Sequence, residues 1–297
     1  MNTLLSILRS AIVIITPLLF ASAGGLFPAL AGTLNIALEG LLLIGAFSSM
    51  AAFYYTGSFT AALMAAVIAS IALSALIAFV TLVLRSNVFI VGLAANLLAA
   101  GLCAVLSDKM FGTRGVIAPE TGFSLPAAFP MIRDIPLIGN LFSGQSWYLY
   151  CSWLFLLLCW LLLYKTPFGF RLRACEKRET ALVSLGLNPG FYRFEAFLIS
   201  GLLCGIGGSF LSMNLGAFVP GMSAGKGWIA LVIIFLGSRK PGGLIAAAFV
   251  FALADAFSNY LQGLWSIPVD FILAFPYICT LLAMIVVSIH VKKKQAL

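Results

Sequence analysis

Charge is what this sequence has least of. Only 9% of its 297 residues are charged while 62% are hydrophobic, whereas a soluble domain carries about 25% charged residues. One aqueous core cannot absorb that much apolar surface, so a soluble globular fold is excluded. Histidine is nearly absent as well. His290 stands alone beside the C-terminal lysines, and the nine acidic residues are scattered. That inventory supports neither a metal centre nor a histidine-based catalytic group, and no cofactor is expected on this chain. The six cysteines (Cys103, Cys151, Cys159, Cys175, Cys204 and Cys279) form no C-x-x-C pair. Five of them lie in or beside apolar stretches and read as free thiols acting as small apolar residues. His-Glu-x-x-His is missing, and the lone His290 beside the C-terminal lysines supports no pairing with a Gly-x-Ser-x-Gly, which argues against an intramembrane enzyme.

What is present is apolar sequence almost end to end. Runs such as Leu154 to Leu163 are apolar on every face, without the alternation of a barrel strand, so the spans are helices. A hydrocarbon layer about 30 Å thick takes about 20 such residues per crossing. Nine stretches are candidate crossings, at 10–31, 34–55, 59–84, 87–106, 147–164, 192–215, 227–238, 242–264 and 268–290. The fold class is therefore an all-α polytopic bundle of about nine helices, eight to ten, some broken or re-entrant. The stretch 227–238 is short and bounded by Gly227 and Gly237, the mark of a broken or half-depth helix. Residues 1–24 imitate a signal peptide ending at Ala21-Ser22-Ala23, but only Arg9 charges their leading end, and a first membrane helix fits better.

The net charge of +8 does not imply nucleic acid, because no basic stripe is interleaved with exposed aromatics. Lys and Arg instead fall between apolar spans, as the positive-inside bias requires. The densest run, Lys165, Arg171, Arg173, Lys177, Arg178 and Arg193, is assigned to the cytoplasm. Threading the crossings from there puts Arg85, Arg239, Lys240 and Lys292-Lys293-Lys294 inside and the Pro- and Gly-rich loop 107–146 outside. Twelve basic residues then lie inside and four outside, leaving Arg9 aside. The N-terminus falls outside by the same count, unless the segment from Gly24 to Gly45 holds a re-entrant piece or a tenth crossing is hidden.

Two segments carry more than packing. The first is Ala31-Gly32-Thr33-Leu34-Asn35-Ile36-Ala37-Leu38-Glu39-Gly40. A carboxylate inside an apolar span costs about 2.5–3.5 kcal/mol, so it faces a cavity or a partner. Asn35 and Glu39, four apart, would share one helix face, and the surrounding Gly24, Gly25, Pro28, Gly32, Gly40 and Gly45 permit a broken helix. A hydrogen-bonded knot between helices is the competing reading. The second is the segment 166–193, whose basic residues, Glu176, Glu179 and the Gly186-Leu187-Asn188-Pro189-Gly190 break read as a short amphipathic docking helix at the membrane surface. At twenty-eight residues it is long for a passive connector. Further polar residues in the spans are Asn87, Asn96, Asn214, Asp255, Asn259 and Asp270. Asp255 and Asn259 are again four apart, and Trp228, Phe47 and Tyr260 are available for stacking. Gly201-x-x-x-Gly205 marks a close helix contact.

Gly25-Leu26-Phe27 and Ala31-Gly32-x-Leu34-Asn35-Ile36-x-Leu38-Glu39-Gly40 resemble the signature of ABC importer permeases of the nucleoside branch, related to the ribose and branched-chain amino acid permeases. The resemblance continues through Asn87-Val88-x-Ile90-Val91-Gly92-Leu93-Ala94-x-Asn96, Thr166-Pro167-x-Gly169-x-Arg171-x-Arg173-Ala174, Ser200-Gly201-x-x-x-Gly205, Gly225-Lys226-Gly227-Trp228 and Pro276-Tyr277-x-x-Thr280-Leu281. It implies one transmembrane permease domain over 1–297 in a bacterial inner membrane, non-catalytic, forming the translocation pathway for nucleosides. Its implied partners are an ABC ATPase subunit, a second permease chain, an extracytoplasmic solute-binding protein or lipoprotein, the small-molecule substrate and membrane lipid. On that reading Asn35, Glu39, Asn87, Asn96, Asn214, Trp228, Asp255 and Asn259 line the pathway. Arg171, Arg173, Glu176, Lys177, Arg178, Glu179 and Leu185 belong to the element that couples to the ATPase. The family's usual Gly-Glu-Asn-Pro there is replaced by Cys175-Glu176-Lys177-Arg178-Glu179. No Walker A loop exists, since Gly225-Lys226 is followed by Gly227 and position 220 is Pro, so ATP must be hydrolysed by another polypeptide. Ribose or another simple sugar is the main alternative substrate, and a cation-coupled secondary transporter using Glu39, Asp255 and Asp270 is the alternative class.

Overall fold

The computed structural model describes residues 2–119 and 144–262. The stretch 268–290, Asp270, Cys279, His290, the C-terminal lysines and most of the loop 107–146 lie outside these residues. Among the described residues every regular element is a helix. They are α1 (Asn2–Leu30), α2 (Leu38–Thr56), α3 (Phe59–Ala78), α4 (Val88–Phe111), α5 (Trp147–Lys165), α6 (Pro167–Lys177), α7 (Glu179–Ser184), α8 (Pro189–Leu215), α9 (Lys226–Leu236) and α10 (Pro241–Gln262). Seven are long and apolar enough to cross a membrane.

Local chemistry sets the boundaries. Gly57 closes α2 in a left-handed conformation at φ 61°, and Ser58 beside it caps α3 by accepting from the Ala61 N–H, which folds α2 and α3 into a tight hairpin. α3 runs on into a π-helical turn, Phe79–Val83. Asn87 opens α4 by accepting from the Phe89 N–H at 2.8 Å. Thr166 and Asn188 cap α6 and α8, each followed by a proline in the first helical turn, where its missing N–H costs nothing.

α8 is the central helix, packed on α1, α2 and α3. Its small residues make this possible. A Cβ at Gly201 would meet Ser74 and Ile71 within 2.9 Å, and one at Gly205 would meet Val67 and the Ala66 carbonyl within 2.9 Å. Hydroxyls hold the seams, because little hydrophobic force separates helix from lipid. Ser70 donates to the Leu41 carbonyl at 3.0 Å. Ser209 joins Ser49 at 2.8 Å and the buried Tyr148 at 2.7 Å, tying α2, α5 and α8 together. The outward faces of α3, α4 and α5 expose leucine, isoleucine and phenylalanine, with Leu97 75% exposed, as a lipid-facing surface requires.

The two ends of the bundle differ in chemistry. At one end Arg193, Arg239 and Glu176 meet the end of α1. At the other, the Arg9 side chain lies beside Gly144 and Ile117 pairs with Phe218 as an antiparallel bridge. Between Phe218 and Gly225 the chain passes without a long helix from that second end to the middle of the bundle, and α9 completes the passage to the basic end. α9 has 11 residues, about 16 Å at a rise of about 1.5 Å per residue, roughly half of a 30 Å layer. The short apolar run at 227–238 is thus the helical half of one discontinuous crossing, and counting it as a passage keeps Arg85, Lys165 and Arg239 at one end.

Candidate functional site

The break between α1 and α2 leads into Glu39 in the first turn of α2, and the discontinuous crossing begins its helical half at the same point. Ala224 and Gly225 hold positive φ, 45° and 78°, and the Lys226 N–H after them donates to the Ser223 carbonyl at 2.9 Å. This turn leaves the Gly225 and Gly227 N–H groups facing one spot, an anion-binding concavity. Glu39 fills it. Its Oε1 accepts from the Gly225 N–H at 2.9 Å and its Oε2 from the Gly227 N–H at 2.7 Å. No side chain of α9's own preceding residues caps it, so the cap comes from α2. Glu39 also stands in the first turn of α2, and one carboxylate therefore faces the positive ends of two helices. The contact demands glycine at 227, because any Cβ there would strike the Glu39 backbone nitrogen.

The preceding residues are held just as closely. Buried Asn35 accepts from the Ala37 N–H at 3.1 Å and donates to the Ser200 hydroxyl of α8 at 2.9 Å. Asn96 of α4 accepts from the Gly40 N–H at 2.8 Å and donates to the Ile36 carbonyl at 3.1 Å. These bonds satisfy the backbone groups that a broken helix leaves free inside a membrane. They also correct one expectation. Asn35 and Glu39 do not share a helix face, because the Asn35 side chain turns back on its own backbone and α2 starts only at Leu38.

The other pathway candidates divide. Trp228 belongs to this neighbourhood, following Gly227 directly with its side chain partly exposed, and Asp255 stands half-buried on α10, the helix packed on α9. Asn259, one turn beyond Asp255, is exposed. Asn87 is the exposed cap of α4 and Asn214 lies exposed at the far end of α8, so neither joins the Glu39 cluster. Phe47 is buried in an edge-to-face pair with Phe218 at 5.3 Å. Sequence reasoning missed Ser200 and the Gly225 and Gly227 amides as partners. The usable signal was Gly-Lys-Gly opening a short apolar run, which places free N–H groups at a helix start.

The segment 166–193 forms α6, α7 and the turn before α8, folded against the basic end. Arg171 donates to the Tyr192 hydroxyl at 3.2 Å, and Arg173 lies over the Tyr164 and Phe170 rings at 4.5 and 4.9 Å. Burial pushes the Cys175 thiol up. Glu176 pairs with Arg239. Glu179 forms a two-pronged pair with Arg193 at 3.1 and 2.9 Å, which holds its carboxyl below the usual range. Lys177 and Arg178 are exposed, and Leu185 is 75% exposed at the tip with Val183 beside it at 59%.

The sequence pattern of the permease component of branched-chain amino acid transport systems matches residues 6–288. The chain belongs to this family. Over 296 residues the permease is 32% identical to the nucleoside ABC transporter permease protein NupC of Lactococcus lactis, covering 95% of this chain and 92% of that one. It is 31% identical to the guanosine ABC transporter permease protein NupQ of Bacillus subtilis, covering 94% and 90%. A protein of Haloferax volcanii named for glucose transport is 29% identical, over 87% of this chain and 78% of that one. The permease is thus a multi-pass membrane component of an ABC transporter.

Proposed function

We propose that this permease forms the translocation pathway of an ATP-driven importer for nucleosides in a bacterial inner membrane. The observation that carries the reading is the Glu39 cap, where a discontinuous crossing starts at mid-depth on a carboxylate supplied by another helix. Such a break keeps an acid and amides inside the membrane whose bonds to one another can be exchanged for bonds to a polar solute, and a nucleoside presents base amides and ribose hydroxyls that suit this mixture. The names carried by the Lactococcus and Bacillus relatives support the same substrate class. The ATPase is a separate chain that docks on α6, α7 and Leu185. A second permease chain completes the pathway, and a solute-binding protein delivers ligand to the opposite end. ATP-driven motion of the docked segment then exchanges two arrangements of the bundle that differ in affinity for the solute.

Uptake of labelled guanosine, uridine and ribose into proteoliposomes holding the assembled complex and its binding protein tests this. ATP-dependent uptake of the nucleosides supports the reading. Uptake of ribose alone would move the substrate to sugars, and uptake driven by a proton gradient without ATP would overturn the reading altogether.

A further inference from the structure

Two arginines outside the proposed pathway and outside the docking tip join them. Arg193, on the first turns of α8, spends four hydrogen bonds on three other elements. Its Nε donates to the Ala31 carbonyl at 3.2 Å, its Nη2 to the Cys175 carbonyl at 3.1 Å, and both Nη atoms to the Glu179 carboxylate. Arg239, in the turn after α9, donates to the Ala29 carbonyl at 3.4 Å and pairs with Glu176. Ala29 and Ala31 are terminal carbonyls of α1, which has no basic residue of its own in its last turn. The orphan acceptors at that helix end are therefore met by cations from elsewhere, which also grip α6 and α7.

Two routes then lead from the docking segment to Glu39. One runs through Arg193 to Ala31 and onward along the break. Gly32 holds φ +82°, and a Cβ on it would meet Glu176 at 3.2 Å, so α6 rests directly on the first residues of the break that leads through Asn35 into Glu39. The other runs through Arg239 to the C-terminal end of α9, whose opposite end is the Gly225 and Gly227 pair held by Glu39. The circuit is closed. Any displacement of α6 and α7 must either break these ion pairs or move the start of α2 and the whole of α9.

We propose that Arg193 and Arg239 are positioning residues that carry the displacement of the docking segment to the Glu39 cap, through the end of α1 on one side and through α9 on the other. This rests on the proposed importer function. It differs from mere stabilisation, because a stabilising pair lost lowers transport and hydrolysis together, whereas a transmitting pair lost separates them.

The test measures nucleoside uptake and ATP hydrolysis side by side in proteoliposomes of the full complex. It uses Arg193→Gln, Arg239→Gln, Glu176→Gln and the charge-keeping Arg239→Lys, after confirming assembly by size-exclusion chromatography. Solute moved per ATP should fall about tenfold in Arg239→Gln and Glu176→Gln, a coupling loss of ordinary size between sites, with hydrolysis little changed, and Arg239→Lys should recover most of it. If Arg193→Gln fails to assemble, the partly exposed Arg239 and Glu176 pair decides alone. An unchanged ratio, or uptake and hydrolysis falling in parallel, overturns the proposal while leaving the importer intact. A parent complex without ATP-dependent uptake would instead overturn the function beneath it.

Discussion

Glu39 does at residue scale what a capping side chain does in a soluble helix, but from another helix and inside the membrane. Its two bonds to Gly225 and Gly227 are charge-assisted, and losing them strands one buried and one half-buried N–H group, at about 1–3 kcal/mol each. Glu39→Ala should therefore lower thermal stability in detergent by about 3 kcal/mol. Gly227→Ala should cost at least about 2 kcal/mol by forcing α9 off α2, while Gly101→Ala, whose new methyl meets nothing within 4 Å, should leave the melting curve in place. Equal melting of Glu39→Ala and the parent would refute the cap. An acid in an apolar span marks itself in the sequence by its cost, which is why Glu39 was legible. Its partners were not, because they lie 186 and 188 residues away and are backbone groups, invisible to any reading of side chains. Asn96 showed as a polar intruder without showing that it clamps both sides of the break.

Elements were more legible than partners. Each long crossing announces itself as an apolar run, and Gly57, Asn87, Thr166-Pro167 and Asn188-Pro189 carry their own cap chemistry. The glycines bounding the short run told that α9 is a half-depth helix, but not that a non-helical stretch completes its crossing. The π-helical turn Phe79–Val83 leaves no periodic mark in five residues, and the division of the docking segment into α6 and α7 follows from tertiary contacts of Arg193. A labelling experiment probes that segment. Leu185→Cys, at the exposed tip, should react rapidly with a maleimide and become protected when the ATPase is added. Native Cys175, buried and with its thiol pushed up, should react slowly throughout. Rapid labelling of Leu185→Cys regardless of the ATPase would move the dock elsewhere.

At the scale of the whole molecule, the charge asymmetry is the ground for assigning which way the bundle lies. Arg85, Lys165, Arg193 and Arg239 gather at one end and the Ile117 and Phe218 bridge marks the other, in agreement with positive-inside threading. In intact cells a membrane-impermeant thiol reagent should label Val116→Cys and spare Lys177→Cys, both built on a chain whose native cysteines are replaced. The reverse pattern would invert the topology. That threading was legible because the basic residues cluster between apolar spans, most densely from Lys165 to Arg193. The joining of the two ends through the Glu39 cap was not, since no local pattern reports a closed circuit of contacts. The most direct measurement of the central claim is ATP-dependent nucleoside uptake by the assembled complex carrying Glu39→Gln, which keeps the side chain's shape and removes its charge. With assembly intact, uptake should fall at least about tenfold, the equivalent of about 1.4 kcal/mol lost at the cap. Uptake equal to that of the parent would contradict the account and place the pathway away from Glu39.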